Sequence, residues 1–183
     1  MRGPDLNVND LKALPARELR LELETLYAEY AACIDNDELE RFPEFFSENC
    51  LYKIQPRTNY ERGLPLAVWL SESRGMLKDR IVAIRQLSTY GPRHLRHIVA
   101  GIRILGWDED ALRCEANYAV FETLPDEFTR VFQVGRYLDR VAVDAGRLRF
   151  AEKLCVFDRR MRRCAQNVWR STCPRWSRGC PKK

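Results

Sequence analysis

The only two histidines of this 183-residue sequence, His94 and His97, limit the chemistry that its side chains can perform. His97 and Asp35 could form an acid–base pair in an apolar pocket, since burial raises a carboxyl pKa toward the range useful for proton transfer. The phenols of Tyr30 and Tyr52 could line the same pocket. A small isomerase, hydratase or cyclase would use these side chains, whereas a standalone binding module would use only the apolar pocket. We favour a structural alternative, because nothing in the spacing selects catalysis: Asp35 is a helix C-terminal or capping residue, and His97 is a satisfied core or interface histidine.

The remaining residues do not indicate a metal or nucleotide site. Two histidines three apart at the start of a strand point to opposite faces, so they cannot easily bind one metal ion. The spacing of Cys164, Cys173 and Cys180 matches no structural zinc pattern, and the sequence has no glycine-rich phosphate loop and no G-x-S-x-G element. The seven cysteines include no C-x-x-C pair, which favours buried thiols in a reducing cytoplasm over disulfides.

The charge of the chain is divided between an acidic body and a basic tail. Of the 31 Lys and Arg residues, nine follow Asp158, where there is no Asp or Glu. The first 158 residues therefore carry 22 basic and 26 acidic side chains, a net charge of −4. A nucleic-acid-binding body would carry its positive charge on a folded face, so we expect no nucleic-acid partner. We also expect no membrane segment, because no run of about 18 apolar residues occurs.

Four long extended segments dominate the second half of the sequence. Three of them run over His97–Leu105, Ala111–Thr123 and Thr129–Val141, and the fourth ends at Asp158. Apolar residues recur at every second position, which is typical of half-buried strands. The short connectors are rich in Gly, Pro and Asp, so the strands are predicted to pair antiparallel as a meander.

The first half is predicted to be mainly helical and to cover one face of that sheet. The predicted elements are an irregular arm over 1–15, a helix over Arg17–Ile34, a short helix holding Leu39, Phe42, Phe45 and Phe46, a strand over Cys50–Ile54, a polar loop over Arg57–Gly63 and a split helix over 64–87. This order predicts an α+β fold, in which a curved antiparallel sheet wraps the N-terminal helices to form a cone. We expect one domain over 1–158 and a basic tail over 159–183 that is mobile beyond residue 172.

Three stretches of the sequence, Cys33–Ile54, Gly63–Arg85 and Tyr90–Val99, contain a Trp, a Met-Leu-x-Asp-Arg motif and an Arg-His pair at a strand start. With these motifs they resemble the small (beta) subunits of Rieske-type aromatic-ring-hydroxylating dioxygenases, most of all those acting on aromatic carboxylates such as terephthalate, anthranilate or salicylate. The sequence departs from this family in two places. Gly101 stands where many relatives have Asn, and the basic tail continues where relatives end.

The resemblance implies a fold, a function and partners. The fold would be the cone of nuclear transport factors and ketosteroid isomerase, also called cystatin-like. The Rieske cluster and the mononuclear iron would lie in a large (alpha) subunit, since together they need four histidines and this chain has two. The chain would be a non-catalytic subunit without its own cofactor, forming a trimer within a hetero-hexamer.

The same resemblance implies which residues meet other subunits. The motif positions shared with the family are Trp69, Met76, Asp79, Arg80, Arg93, Arg96 and His97. Arg and Trp are the side chains most able to anchor a buried interface. Independently of the resemblance, the alternation of the strands places apolar side chains on the outer face of the sheet, a position that favours self-association. These side chains are Phe121, Phe132, Val134 and Leu138.

Overall fold

The computed structural model describes residues 7–87 and 93–158, and its helices and strands follow the predicted order in outline. The helices are α1 (Val8–Ala13), α2 (Ala16–Asp35), a 3-10 turn (Phe42–Phe45), α3 (Arg57–Glu61) and α4 (Arg74–Leu87). The strands are β1 (Phe46–Pro56), β2 (Trp69–Ser71), β3 (His94–Asp108), β4 (Ala111–Thr123), β5 (Arg130–Asp144) and β6 (Arg147–Phe157). None of the helices in the described ranges is long and apolar enough to cross a membrane.

The six strands form one curved sheet in the order β2-β1-β6-β5-β4-β3. Strands β3 to β6 form the predicted antiparallel meander. The prediction of a wholly antiparallel sheet is wrong at β1, which runs parallel to β6. Two parallel strands need a long crossover connection rather than a tight turn. Here the part of the chain that contains β2 to β5 connects β1 to β6.

Helix α2 and the buried face of the sheet form the core. The predicted helix over Arg17–Ile34 is confirmed, with its apolar stripe at Leu23, Tyr27 and Tyr30 almost fully buried. In β4 the predicted alternation is also confirmed, since every second residue from Leu112 to Glu122 is buried. Nine aromatic side chains of the described residues are buried in the core: Tyr27, Tyr30, Phe42, Phe45, Phe46, Tyr52, Tyr118, Tyr137 and Phe150. The cone therefore has a packed aromatic interior.

The prediction of an irregular arm over 1–15 is wrong at α1. Asn7 and Asp10 form a capping box, in which each side chain accepts a hydrogen bond from the other's backbone N–H. Leu11 projects from this short helix into the core and is 1% exposed. A single buried apolar side chain thus fixes a segment whose periodicity was too short to indicate a helix.

The helical prediction for 64–87 is correct only from Arg74 onward. Residues 69–71 form β2, which pairs antiparallel with β1 through Trp69 opposite Ile54. Pro65 disfavours a helix there, and the free edge of β1 offers backbone partners instead.

Two other local predictions also need correction. The predicted polar loop after Pro56 contains the short helix α3, and the predicted helix around Phe42 is only a 3-10 turn. Strand β1 begins directly after that turn and is 11 residues long, so it is longer than the predicted strand over Cys50–Ile54.

Irregular positions in the strands accompany the curvature of the sheet. Gly101 has φ +67°, at a register shift between Ala100 and Arg103 of β3. This left-handed conformation suits Gly and is tolerated by Asn. Gly101 therefore adopts this backbone conformation without strain. Bulges of this kind bend a strand and increase its twist.

Candidate functional site

The structure brings Asp35 and His97 together at the junction of α2 and β3. Oδ1 of Asp35 lies 2.6 Å from Nδ1 of His97, and Oδ2 accepts the backbone N–H of His97 at 2.9 Å. Both side chains are nearly buried. Because both carboxylate oxygens contact His97, this carboxylate holds the last turn of α2 against β3 and fixes the orientation of the imidazole.

The two tyrosines of the predicted pocket lie in the aromatic core. The ring of Tyr30 packs against those of Phe42 and Phe150, and Tyr52 packs against Phe42 and Trp69. Burial raises the pKa of both phenols well above the usual value of 10. They therefore stay protonated at neutral pH and act there as packed aromatic side chains.

A buried ion pair occupies the centre of the cone. Nζ of Lys153 lies 2.8 Å from Oδ2 of Asp139, and neither side chain is exposed to solvent. The hydroxyl of Tyr27 donates a hydrogen bond to the same oxygen at 2.5 Å. Burial raises the pKa of Asp139 above its ordinary value, although Lys153 and Tyr27 act in the opposite direction. Burial likewise raises the pKa of the nearby Cys114 thiol to about 12.

Four aromatic rings surround the Lys153 ammonium. Its distances to the ring centroids are 3.7 Å for Tyr137, 4.1 Å for Phe150, 4.6 Å for Tyr27 and 4.7 Å for Tyr30. A cation over aromatic faces is stabilised by the ring quadrupoles, most strongly where water is excluded. Side chains of the protein itself thus fill the part of the cone where this cluster lies.

Sequence reasoning missed this cluster, although the sequence contains a signal for it. Asp139 alternates with Tyr137 and Val141 on the buried face of β5, and Lys153 is on the buried face of β6. A charged residue at an inward position of an apolar strand is unusual and indicates a partner on a neighbouring strand.

A second buried carboxylate lies in the sheet near the start of β3. Glu122 is 2% exposed, and its two oxygens contact Arg93 at 3.4 Å and Arg130 at 2.7 Å. Arg93 is one of the candidate interface residues, and here its guanidinium links the start of β3 to β4. Arg96 lies three residues further on, exposed on the outer face opposite Phe121.

The other candidate interface residues lie on β2 and α4. The ring of Trp69 packs edge-on against Tyr52, and its Nε1 donates to Ser71 Oγ at 2.9 Å. The guanidinium of Arg80 lies 5.1 Å from the Trp69 ring. Trp69 is half-buried and has a structural role, whereas Met76, Asp79 and Arg80 are exposed on α4. This face of α4 is open to a partner.

Apolar side chains lie on the outer face of the sheet, on the side away from α2. Ile98 is 55% exposed and Val134 is 44% exposed, and both lie opposite Ala119 on the strand between them. Phe132 is 50% exposed, while Phe121 and Leu138 are half-buried. We call Ile98, Ala119, Phe121, Phe132, Val134 and Leu138 the outer apolar surface. Exposed apolar surface of this kind commonly marks a subunit contact.

The described residues contain no metal centre. Across 7–87 and 93–158, no three His, Cys, Asp or Glu side chains lie close enough together to hold a metal ion. His94 is exposed and the side chain of His97 is nearly buried, as expected for two strand positions on opposite faces. The cysteines at 33, 50, 114 and 155 are all buried free thiols.

The fold and the arrangement of its interior define the class of this protein. Residues 15–153 match the model of the SnoaL-like domain. Among individual proteins, the chain is 34% identical over 137 residues to the anthranilate 1,2-dioxygenase small subunit of Burkholderia cepacia, covering 75% of this chain and 85% of that protein. It is 30% identical to a beta subunit of the terephthalate 1,2-dioxygenase terminal oxygenase component of a Comamonas species, covering 75% of this chain and 90% of that subunit.

A solved structure gives the same result. The chain is 35% identical, with a TM-score of 0.72, to the beta subunit of an assigned aromatic-ring-hydroxylating dioxygenase from Novosphingobium aromaticivorans, covering 79% of this chain and 92% of that one. The chain therefore belongs to the family of small (beta) subunits of aromatic-ring-hydroxylating dioxygenases. This confirms the resemblance seen in the sequence. The basic tail, including the predicted mobility beyond residue 172, lies outside the described residues.

Proposed function

We propose that this chain is the non-catalytic small subunit of a multicomponent oxygenase that degrades an aromatic carboxylate, and that it supports assembly of the iron-bearing large subunit. The observation that carries this proposal is the filled interior. In an acid–base enzyme of this fold the cone would hold a substrate, whereas here Lys153 and Asp139 occupy its centre with no exposure to solvent. The relatives from Burkholderia and Comamonas are named for anthranilate and terephthalate, both aromatic carboxylates.

The redox centres belong to the large subunit in this proposal. A Rieske cluster takes two histidines and a facial-triad iron takes two more, whereas this chain has only His94 and His97. His97 is already held by Asp35, and His94 lies on the opposite face of β3. The small subunit would therefore act in the cytoplasm as a support without a cofactor of its own.

Self-association through the outer apolar surface is the second part of the proposal. Ile98, Val134 and Phe132 are too exposed for the apolar face of a monomer, and helix α2 packs against β3 from the opposite face of the sheet, where Asp35 contacts His97. A trimer that buries this surface would present three equal sites for large subunits, giving a hetero-hexamer. The exposed α4 residues Met76, Asp79 and Arg80, together with Arg96, remain candidates for the contact with the large subunit.

Expression with and without the cognate large subunit tests the proposal. The isolated chain should contain no stoichiometric iron, should scatter light as a trimer, and should oxidise no aromatic acid. The two subunits purified together should form a hexamer that oxidises the aromatic acid. Iron near one equivalent per isolated chain, or a clean monomer at micromolar concentration that persists beside the large subunit, would contradict it.

One observation favours a second candidate function. The Asp35–His97 contact of 2.6 Å has the geometry of a base held by an orienting carboxylate, as an isomerase, hydratase or cyclase of this fold would need. The variant His97→Asn separates the two functions, since Asn keeps a polar side chain but cannot exchange a proton. An acid–base role predicts that the variant keeps its assembly but loses isomerase, hydratase or cyclase turnover. Our proposal instead predicts unchanged oxygenase turnover in every hexamer that forms. Binding of a small apolar ligand by the isolated chain would instead support a standalone binding module.

A further inference from the structure

Four large apolar side chains in and just before the short strand β2 are exposed. Exposure alternates along this segment, since Leu66 is 72% and Val68 is 67% exposed, whereas Trp69 is half-buried and Ser71 is buried. We call Leu64, Leu66, Val68 and Leu70 the second apolar surface. A row of exposed large apolar side chains gives up the free energy of burial, so such a row commonly marks a contact with another chain.

The backbone of this segment is held in place although its side chains are exposed. Nδ2 of Asn59 donates to the carbonyl oxygen of Leu66 at 3.1 Å. The N–H of Val68 donates to the carbonyl oxygen of Ile54 at 2.8 Å, directly before β2 pairs with β1. The second apolar surface is therefore presented in a fixed arrangement, which lowers the entropy cost of binding a partner.

The second apolar surface reaches the same face of the sheet as the outer apolar surface. Leu70 lies opposite Lys53 of β1, which in turn lies opposite Leu154 of β6. Leu154 lies opposite Leu138, a member of the outer apolar surface. Residues directly opposite one another in neighbouring strands share a face, so Leu70 and Leu138 point to the same side, three strand spacings or about 14 Å apart. Each subunit thus carries two separate apolar surfaces on one side of its sheet.

We propose that these surfaces are the two halves of one contact, in which the second apolar surface of one subunit packs on the outer apolar surface of the next copy of this chain. The inference rests on the self-association in the proposed function. A trimer has a three-fold axis, so each subunit must offer two different surfaces, one to each neighbour. A single self-complementary surface would instead give a two-fold dimer. The outer apolar surface supplies one half of such a contact, and the second apolar surface supplies the other.

Charges beside the two surfaces allow the same pairing. Arg96 and Arg136 are exposed on the outer face of the sheet and have no carboxylate partner among the described residues. The residues outside the described ranges contain one acid, Asp5, so the rest of the chain offers little counter-charge for these arginines.

The second apolar surface has one exposed charge of each sign at its ends. Glu72 follows it and Arg62 precedes it, and neither side chain has a charged partner in the described part of the chain. A neighbouring copy could therefore bring Glu72 toward Arg96 or Arg136. Its Arg62 could face Asp126, which is exposed in the turn between β4 and β5. Opposite charges at both ends of an apolar contact fix its direction.

Mixing two variants of the isolated subunit tests this contact. Leu66→Asp disrupts the second apolar surface and Ile98→Asp the outer one, and both side chains are more than half exposed, so the core is left intact. Each variant alone should be monomeric where the wild-type chain is a trimer, with the concentration needed for assembly raised at least about tenfold. An equimolar mixture should form a heterodimer, because each chain keeps the surface that the other has lost. Sedimentation equilibrium from micromolar to several hundred micromolar measures these masses.

The matched control is Leu21→Asp. Leu21 is 53% exposed on α2, outside both surfaces, so this variant should remain a trimer. Val68→Asp should behave like Leu66→Asp, and circular dichroism checks that every variant is folded.

The outcomes separate this inference from the proposed function. A folded Leu66→Asp chain that stays a trimer, or a mixture that forms no heterodimer, would overturn the inference and leave the proposed function standing. A Leu66→Asp trimer that no longer binds the large subunit would also overturn it, because the second apolar surface would then belong to that contact. A wild-type chain that is itself a monomer would overturn the self-association and this inference together.

Discussion

Replacing Lys153 with Met should destabilise the protein strongly, because it leaves a buried carboxylate without its counter-ion. Asp139 would keep only the hydroxyl of Tyr27 on one oxygen, and its other oxygen has no hydrogen-bond partner among the described residues. Removing one partner of a fully buried ion pair costs about 3–5 kcal/mol. For a chain of this length, that corresponds to a fall in Tm of about 6–20 °C.

The loss of stability caused by Lys153→Met should also depend on pH in a defined direction. Burial already raises the pKa of Asp139, and removal of Lys153 raises it further, since Lys153 now favours the charged carboxylate. In the variant, the native state therefore keeps the Asp139 carboxyl protonated at pH values above the ordinary carboxyl pKa, where the unfolded state has already released this proton. A raised native pKa gives stability that is lost as pH rises, so Lys153→Met should be less destabilising at pH 5 than at pH 8.

Thermal or urea unfolding followed by circular dichroism measures these effects. The matched control is Lys12→Met, which breaks the exposed pair of Lys12 with Asp110 and should leave Tm unchanged within error. Adding Asp139→Leu to Lys153→Met should recover most of the lost stability, because an apolar pair of similar volume removes the unpaired charge. A single variant that loses less than about 1 kcal/mol, or a double variant less stable than the single one, would refute the assignment of a buried ion pair.

Three further predictions test other parts of the structure. Asp35→Ala should lower the free energy of unfolding by about 1–3 kcal/mol, since the backbone N–H and the ring of His97 lose their acceptor, and urea unfolding measures this loss. Ile98→Asp should shift the isolated subunit toward monomer in light scattering, while His94→Asp, on the same strand face but outside the outer apolar surface, should not; equal behaviour of both variants would remove that surface as the contact. Leu11→Ala should cost about 2–4 kcal/mol although it lies in a short terminal helix, and a loss near zero in the same urea assay would show that α1 is not anchored in the core.

Long periodic segments could be predicted from the sequence because their own side chains determine them. The stripe of α2 and the alternation of β4 each bury one face over many residues, so a local pattern is sufficient. Short elements could not be predicted in this way. Helix α1 depends on one contact of Leu11 with the core, and β2 depends on the free edge of β1, which lies beyond any local window.

The same distinction between local patterns and distant contacts applies to the candidate site. The contact between Asp35 and His97 was considered from the sequence because both residues carry recognisable chemistry. The ion pair of Asp139 and Lys153 was missed because it depends on which residues of two strands lie opposite one another. That information is held in the register of a hairpin rather than in either strand alone.

The register of this hairpin shows how a single residue determines the interior of the cone. Strands β5 and β6 begin their pairing at Asp144 opposite Arg147, and counting along both strands from that turn would place Asp139 opposite Glu152. A one-residue bulge between the pairs Arg140–Glu152 and Val141–Phe150 shifts the register, so that Asp139 lies opposite Lys153 instead. The extra residue turns a pairing of two acids into an ion pair and brings Lys153 onto the face where the aromatic rings enclose it. The interior of the cone is therefore filled because of the bulge, and the composition of the two strands alone does not determine it.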